Sequence, residues 1–402
     1  MQQLKRILFF SLLLLSLQSI AQNGYTYEAV DTKSYTLYQK NAWAELVSYG
    51  NTALENGQDF TLLRLRIAYA EFMLQNYSAA IISYDKVLKN DSYNATAHYY
   101  IWLSRKYLNQ TELAGRQIKY LTAETIQKEG LNNIAFTGAG LETSFKSSDN
   151  ALRGNTFYQN FHAQNRFGYN ISMDQMVSFY NQTIYTANTS IQPGFPPPPP
   201  QPQLRGTSIN QKEYYNKLTA NLTNQWQVKA AYHYTYNSIG TSTYNNQTGF
   251  VGLKYTGNYF DLQTDALFST ITDTSVQQFD AQLGLNPLGN MNLYSISTAT
   301  VRKRPNESAF NFRQILGCKI QNSIWLEGNI TLGNFNDLLE NDGLYIYNAI
   351  DRNLFKGGLS TYITITPKCT LSLGYTMEQR ELKSTTTNFI QHSITGGLSW
   401  KF

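Results

Sequence analysis

The sequence predicts an N-terminal α-helical solenoid of about three repeats, followed by an antiparallel transmembrane β-barrel of about 14 strands. Three observations carry this. The apolar period is 3.6 residues from about Tyr27 to Lys128 and switches to 2 from Asn133 onward. Aromatic residues make up 14% of the 402 residues, with 30 Tyr and 21 Phe, yet mean hydropathy stays at −0.39. The alternating segments also run to about ten residues or longer, the length a tilted strand needs to cross a bilayer. A membrane barrel needs this mixture, because each strand alternates a lipid-facing residue with a lumen-facing one. A soluble two-sheet sandwich is the alternative; its strands run shorter, and a rim of Tyr and Phe is an aggregation hazard in water but an anchor at a bilayer interface.

Taken in order, the chain opens with Lys5 and Arg6, the apolar run ILFFSLLLLSL, and small residues at Ser19 and Ala21. That pattern predicts a signal peptide over 1–21, cut after Ala21, and hence an exported protein. No cysteine follows the cut, so no lipid anchor is expected. The expected domains are then 22–130, helical, and 131–402, barrel. Net charge is only +5 with 15% charged residues and no basic cluster, which argues against a nucleic-acid partner.

The helical part repeats every 34 residues. Trp43, Tyr77 and Thr111 share that spacing, as do Leu46, Ala80 and Ala114; Gly50, Tyr84 and Ile118; and Ala53, Val87 and Leu121. With this order of small and aromatic positions, the segment resembles the tetratricopeptide repeat. Its middle unit, LRLRIAYAEFMLQNYSAAIISYDKVLKND, matches best, while Gly50 and Thr111 depart from the usual residues in the outer units. The resemblance implies stacked helix pairs with a concave face. It places Tyr35, Tyr38, Tyr69, Phe72, Tyr99 and Tyr107 along a partner-binding groove, suited to a periplasmic protein or polymer. The plainer reading of these aromatics is packing between helices or against the following domain.

In the barrel part, NQWQVKAAYHYTYN sets Trp226, Val228, Ala230, Tyr232, Tyr234 and Tyr236 against Gln227, Lys229, Ala231, His233, Thr235 and Asn237. SIWLEGNITLGNF, CTLSLGYTME and QQFDAQLGL alternate in the same way. Short connections carry turn chemistry at 165–168, 223–225, 286–290 and 366–368. Long ones are expected near 146–154, 184–210, 237–246, 302–307, 335–353 and 382–388, projecting on the outer side. The loop QPGFPPPPPQPQ holds seven of the ten prolines and predicts an extended polyproline II spacer. An even strand count puts both ends of the barrel, and the helical domain, in the periplasm.

No catalytic, cofactor or metal site is expected. The four histidines, His98, His162, His233 and His392, sit beside no nucleophile motif, and no Cys/His spacing suits a metal. Cys318 and Cys369 fall in different strands with two others between them, too far apart to bridge. The inward phase instead collects Asp174, Lys217, Lys229, His233, Lys254, Asp265, Asp280, Arg313, Lys319 and Glu327, a charged lumen that either fills itself with pairs or lines a wet channel. The terminal ITGGLSWKF places Leu398, Trp400 and Phe402 on the lipid face. Outer-membrane barrels resemble this in ending on an aromatic residue read by the barrel-assembly machinery, which makes these three an assembly signal and this strand the closing one, paired near Ile134.

The whole resembles tetratricopeptide-plus-barrel outer-membrane proteins, among them YaiO-like and exopolysaccharide-export barrels. That implies a bacterial outer-membrane location in contact with outer-membrane lipid, and a role in transport or export, of a polysaccharide or another envelope polymer. The alternative is a non-conducting barrel that anchors a repeat scaffold recruiting periplasmic or envelope proteins.

Overall fold

The computed structural model describes residues 25–132, 134–188, 203–334, 336–348, 350–383 and 385–402. The signal-peptide reading and the proline run fall outside them.

Seven α-helices come first among the described residues: α1 Tyr27–Gln39, α2 Trp43–Glu55, α3 Thr61–Met73, α4 Tyr77–Asn90, α5 Ala95–Tyr107, α6 Thr111–Gly115 and α7 Ala123–Lys128. The 34-residue spacing is built into the backbone. Helices start at 27, 61 and 95, and again at 43, 77 and 111. Between the two helices of each pair sits one residue of positive φ: Asn41 at 55°, Gln75 at 61° and Asn109 at 56°. Such a left-handed residue ends a helix by turning its last carbonyls onto the following amides, as Ala42 N donating to Leu37 O and Asn76 N to Glu71 O show. Side chains of Thr26, Asn76 and Asn94 cap the starts of α1, α4 and α5.

The repeated positions are the core. Leu46, Ala80 and Ala114 are buried, as are Gly50, Tyr84 and Ile118. Gly50 departs from the bulky residue of its equivalents because Ile67 fills its space: a Cβ there would lie 2.5 Å from Ile67 Cγ1. Packing groups the helices to Leu108, with 120–122, as one compact unit; residues 109–119 pack with 123–402 as the other. The boundary expected at 130 follows the change of period, whereas α6 belongs with the barrel. Arg116 fixes it there, donating to Asn221 O at 2.9 Å, Asn170 Oδ1 at 3.2 Å and Asn224 Oδ1 at 3.1 Å, while Asn221 Nδ2 donates to Glu112 O at 2.6 Å.

The barrel is closed, antiparallel and 14-stranded. Its strands are β1 Ile134–Ser148, β2 Arg153–Phe167, β3 Ile171–Asn188, β4 Gln203–Asn221, β5 Trp226–Ile239, β6 Ser242–Thr256, β7 Phe260–Ile271, β8 Thr274–Leu285, β9 Leu293–Arg304, β10 Glu307–Gln321 and β11 Ile324–Gly333. A two-residue pair, β12 Leu339–Glu340 with β13 Tyr345–Ile346, interrupts the series before β14 Arg352–Thr366, β15 Cys369–Glu381 and β16 Asn388–Lys401. Closure comes from β16 on β1, in register from Gly138↔Lys401 to Ser148↔Gln391. Closure leaves the barrel sheet, among the described residues, without an open edge.

The alternation sorts faces as its period requires. On β5, Trp226, Val228, Tyr232 and Tyr236 are exposed outward, while Gln227, His233, Thr235 and Asn237 are buried inside. Trp226, Tyr255 and Phe260 form a contact series at the short-turn rim, and Phe136 meets Phe402 at 4.9 Å on the same rim. Cys318 on β10 and Cys369 on β15 are free thiols separated by β11 and β14.

Three expected long loops differ from the structure. Pairing continues to Ile239↔Ser242 and Arg304↔Glu307, so 237–246 and 302–307 close in two-residue turns. Gly240 supplies the positive φ of 58° that the first of these turns needs. The third, 335–353, is long but does not project outward; it folds back into the lumen.

Candidate functional site: the lumen and its inserted hairpin

Residues 334–351 connect β11 to β14 and carry the β12–β13 hairpin inside the barrel. Inward polar side chains hold it by its tip. Asp342 Oδ2 pairs with Lys229 Nζ at 3.1 Å and Lys217 Nζ at 3.2 Å, and its Oδ1 accepts from Gln263 Nε2 at 2.8 Å. Tyr215 OH donates to Asp342 O at 3.0 Å, and His233 Nδ1 to Gly343 O at 2.9 Å. Asn341, Asp342 and Gly343 all take positive φ, of 54°, 60° and 79°, which aims this carboxylate into the wall. Asn and Asp are the side chains that tolerate that backbone best.

Further clasps run along the hairpin. Gln278 recognises Leu339 as a strand would, donating to its O at 2.7 Å and accepting from its N at 3.0 Å. Glu340 meets Lys356 at 3.1 Å and Tyr347 OH at 2.9 Å, with Arg313 at 4.0 Å. Arg304 pairs with Asp337 at 3.0 Å, and Arg153 binds Asp351 through two bonds of 2.5 and 2.8 Å. Beneath Leu339 lies an apolar patch unusual for a lumen, formed by Phe250, Leu267, Ile271 and Val276. Covering it removes from water apolar surface that the polar-inside pattern would otherwise expose.

The ten luminal residues expected from sequence divide by role. Asp174 and Lys217 pair at 3.2 Å, and Lys217, Lys229 and His233 converge on the hairpin tip. Arg313 reaches the hairpin at Asn341 Oδ1, 2.8 Å away. Asp265 and Asp280 accept from Gln263 and Gln278, the two glutamines that also bind the hairpin. Lys254 lies 3.5 Å from Asp261, and Glu327 accepts from Tyr294 OH at 2.7 Å. Lys319 caps the Trp325 ring at 5.1 Å. His392 is outside, its Nδ1 sharing a hydrogen bond of 2.7 Å with Tyr375 OH on the outer face.

The hairpin divides the interior. A cavity of about 470 Å³ lies toward the short-turn end, bordered by Asp174, Lys217 and Lys254. Another of about 420 Å³ lies toward the opposite end, bordered by Lys146, Tyr180, Lys356 and Glu378. Four residues border both: Glu142, Asn341, Tyr345 and Ser372. Within the described residues no group of His, Cys, Asp and Glu is arranged to hold a metal ion.

In the helical unit, the aromatic residues expected to line a groove form a contact series. Tyr38 meets Tyr69 at 5.4 Å, Tyr69 meets Tyr100 at 5.3 Å, Tyr100 meets Phe72 at 5.0 Å, and Phe72 meets Tyr107 at 6.1 Å. Tyr100, outside the expected set, holds the centre, and Tyr99 meets it at 5.2 Å. Tyr35 stands aside under the Arg66 guanidinium, 5.2 Å from its ring centroid. Burial first, then neighbouring Tyr69 and Tyr99, push the Tyr100 phenol up to about 12. Tyr35 and Tyr107 are half exposed, whereas Tyr38, Tyr69, Phe72 and Tyr99 pack largely against other rings. Leu398, Trp400 and Phe402 all face outward.

No protein family and no curated protein matches this chain. Among solved structures, the Pseudomonas putida toluene transporter TodX is similar at 7% identity and a TM-score of 0.46, covering 67% of this chain and 90% of its own. The Acinetobacter baumannii outer membrane protein Omp33 is similar at 8% identity and a TM-score of 0.39, with 66% and 99% covered. The translocator domain of autotransporter NalP from Neisseria meningitidis follows at 10% and 0.31, with 74% and 99% covered. The barrel assignment rests on the strand pairing itself.

Proposed function

We propose that the chain is a bacterial outer-membrane barrel acting in transport across that membrane, with the helical unit on the periplasmic side. The carrying observation is a polar, charged interior with a cavity on each side of the inserted hairpin, inside a wall whose outer face is apolar and aromatic-rimmed. Cavities of 470 and 420 Å³ suit a small solute. A polysaccharide or other envelope polymer would pass only with the hairpin displaced. The repeat-like helices would then serve as a docking module for a periplasmic protein or polymer along the Tyr38–Tyr107 series, and Leu398, Trp400 and Phe402 as the contact for the barrel-assembly machinery.

One observation favours the other reading, a barrel that anchors a scaffold without conducting. The hairpin combines an ionic clasp with an apolar seat, as a resident plug would. Swelling of liposomes loaded with the full-length protein separates the two. Entry of small sugars or amino acids supports transport. No entry of any solute, with or without the hairpin, supports the anchor. Photo-crosslinking from position 107 in cells tests docking, and an absence of any adduct counts against it.

A further inference from the structure

We infer that Glu142 sets the charge selectivity of the lumen, favouring cations over anions where the two cavities meet; this rests on the transport reading. Glu142 projects inward from β1, opposite Gly397 of β16. It is one of four residues bordering both cavities, with Asn341 and Tyr345 of the hairpin and Ser372 of β15. A solute moving between them passes this carboxylate. The local wall is small: a Cβ at Gly397 would lie 2.5 Å from Ser372 Oγ and 3.8 Å from Glu142 Cγ. Glycine there leaves the passage its width and the carboxylate its room.

Most of the surrounding charges are paired with an opposite charge; Glu142 and Glu327 are not, and of these two Glu142 alone borders both cavities. Lys146 and Arg380 converge on Glu378, Lys356 and Arg313 on Glu340, and Arg153 on Asp351. Lys217 and Lys229 hold Asp342. Glu142 has no cation within ion-pair distance among the described residues, and its contact is Asn160 Nδ2, which donates to it at 3.3 Å. The cavity toward the hairpin's far end is lined by five basic and six acidic side chains, and without Glu142 it would balance. An uncompensated carboxylate that borders both cavities, between low-dielectric walls, biases which ions pass.

The test is the reversal potential of the full-length protein in planar bilayers under a potassium chloride gradient. The native protein is expected to favour potassium over chloride by roughly fivefold or more, as one unit charge near the ion's path implies. Glu142→Gln should bring the ratio close to one, and Glu142→Lys should reverse it. A second readout avoids dependence on conductance. With Cys318 and Cys369 replaced by Ser and Ser372 by Cys, a cationic methanethiosulfonate should modify position 372 faster than an anionic one, and Glu142→Gln should abolish the difference. Conduction with an unchanged reversal potential in Glu142→Gln, or equal modification rates at native Glu142, overturns the inference alone. Absence of conduction even without the hairpin overturns the transport reading instead, and the modification rates still judge Glu142.

Discussion

Replacing Asp342 by Asn removes one negative charge from the hairpin tip while keeping a side chain that tolerates its φ of 60°. The perturbation is thus electrostatic rather than conformational. Asp342 is the shared partner of Lys217 at 3.2 Å and Lys229 at 3.1 Å, and all three side chains are less than one fifth exposed. Breaking a buried pair by removing one partner costs about 3–5 kcal/mol, because the remaining charge stays buried unpaired. Lys217 keeps Asp174 at 3.2 Å, so the lower end, about 3 kcal/mol, applies. That shifts the ratio of docked to undocked hairpin by roughly 100-fold. Single-channel recording in planar bilayers reads the shift as open events that lengthen or multiply by a comparable factor. Limited proteolysis should cut within 336–348 in the variant and spare the native protein. Identical open probability together with unchanged protection would refute the claim that this clasp holds the hairpin.

Other expectations test the packing. Gly50→Ala forces a Cβ against Ile67, which is 1% exposed and has no room to yield; a loss of about 1–3 kcal/mol should appear as a lower midpoint of the helical circular-dichroism transition. Tyr84→Phe should be neutral or stabilising by up to about 1 kcal/mol in the same measurement, because the Tyr84 hydroxyl is buried without a hydrogen bond. Phe402→Ala removes the ring that meets Phe136 and should lower the amount of heat-modifiable barrel recovered in outer membranes; recovery at native levels would discard the assembly-signal reading.

The barrel was legible because its evidence is local. A period of two is written into each strand, and turn chemistry at Asn286–Asn290 or Thr366–Lys368 marks where strands end. Closure followed from the same alternation, since Leu398 and Trp400 share the outward phase and their strand needs a partner. The helix pairs were legible for a similar reason: spacing of 34 fixes the starts at Trp43, Tyr77 and Thr111. Where α6 packs was not legible, because Arg116 finds Asn221 and Asn224 more than a hundred residues away.

The inserted hairpin was invisible for the same physical reason, as its tip pairs with side chains 125 and 113 positions distant. One trace of it was present. Phe250 beside Val251, and Leu267 between Ala266 and Phe268, break the alternation by placing an apolar residue on the inward phase. An apolar residue facing a polar lumen needs a cover, and Leu339 supplies it. The length of 237–246 and 302–307 was overestimated because polar strand ends such as Asn245 and Lys303 look like loop, yet remain paired.

The central claim is that this barrel conducts and that the 334–351 segment restricts it. The most direct measurement compares single-channel conductance of the native protein with a variant in which residues 336–348 are replaced by a short Gly-Ser linker. The account predicts small or rare openings in the native protein and a large, steady conductance in the variant. Two closed barrels, both folded by heat-modifiability, would contradict it and leave the protein an anchor.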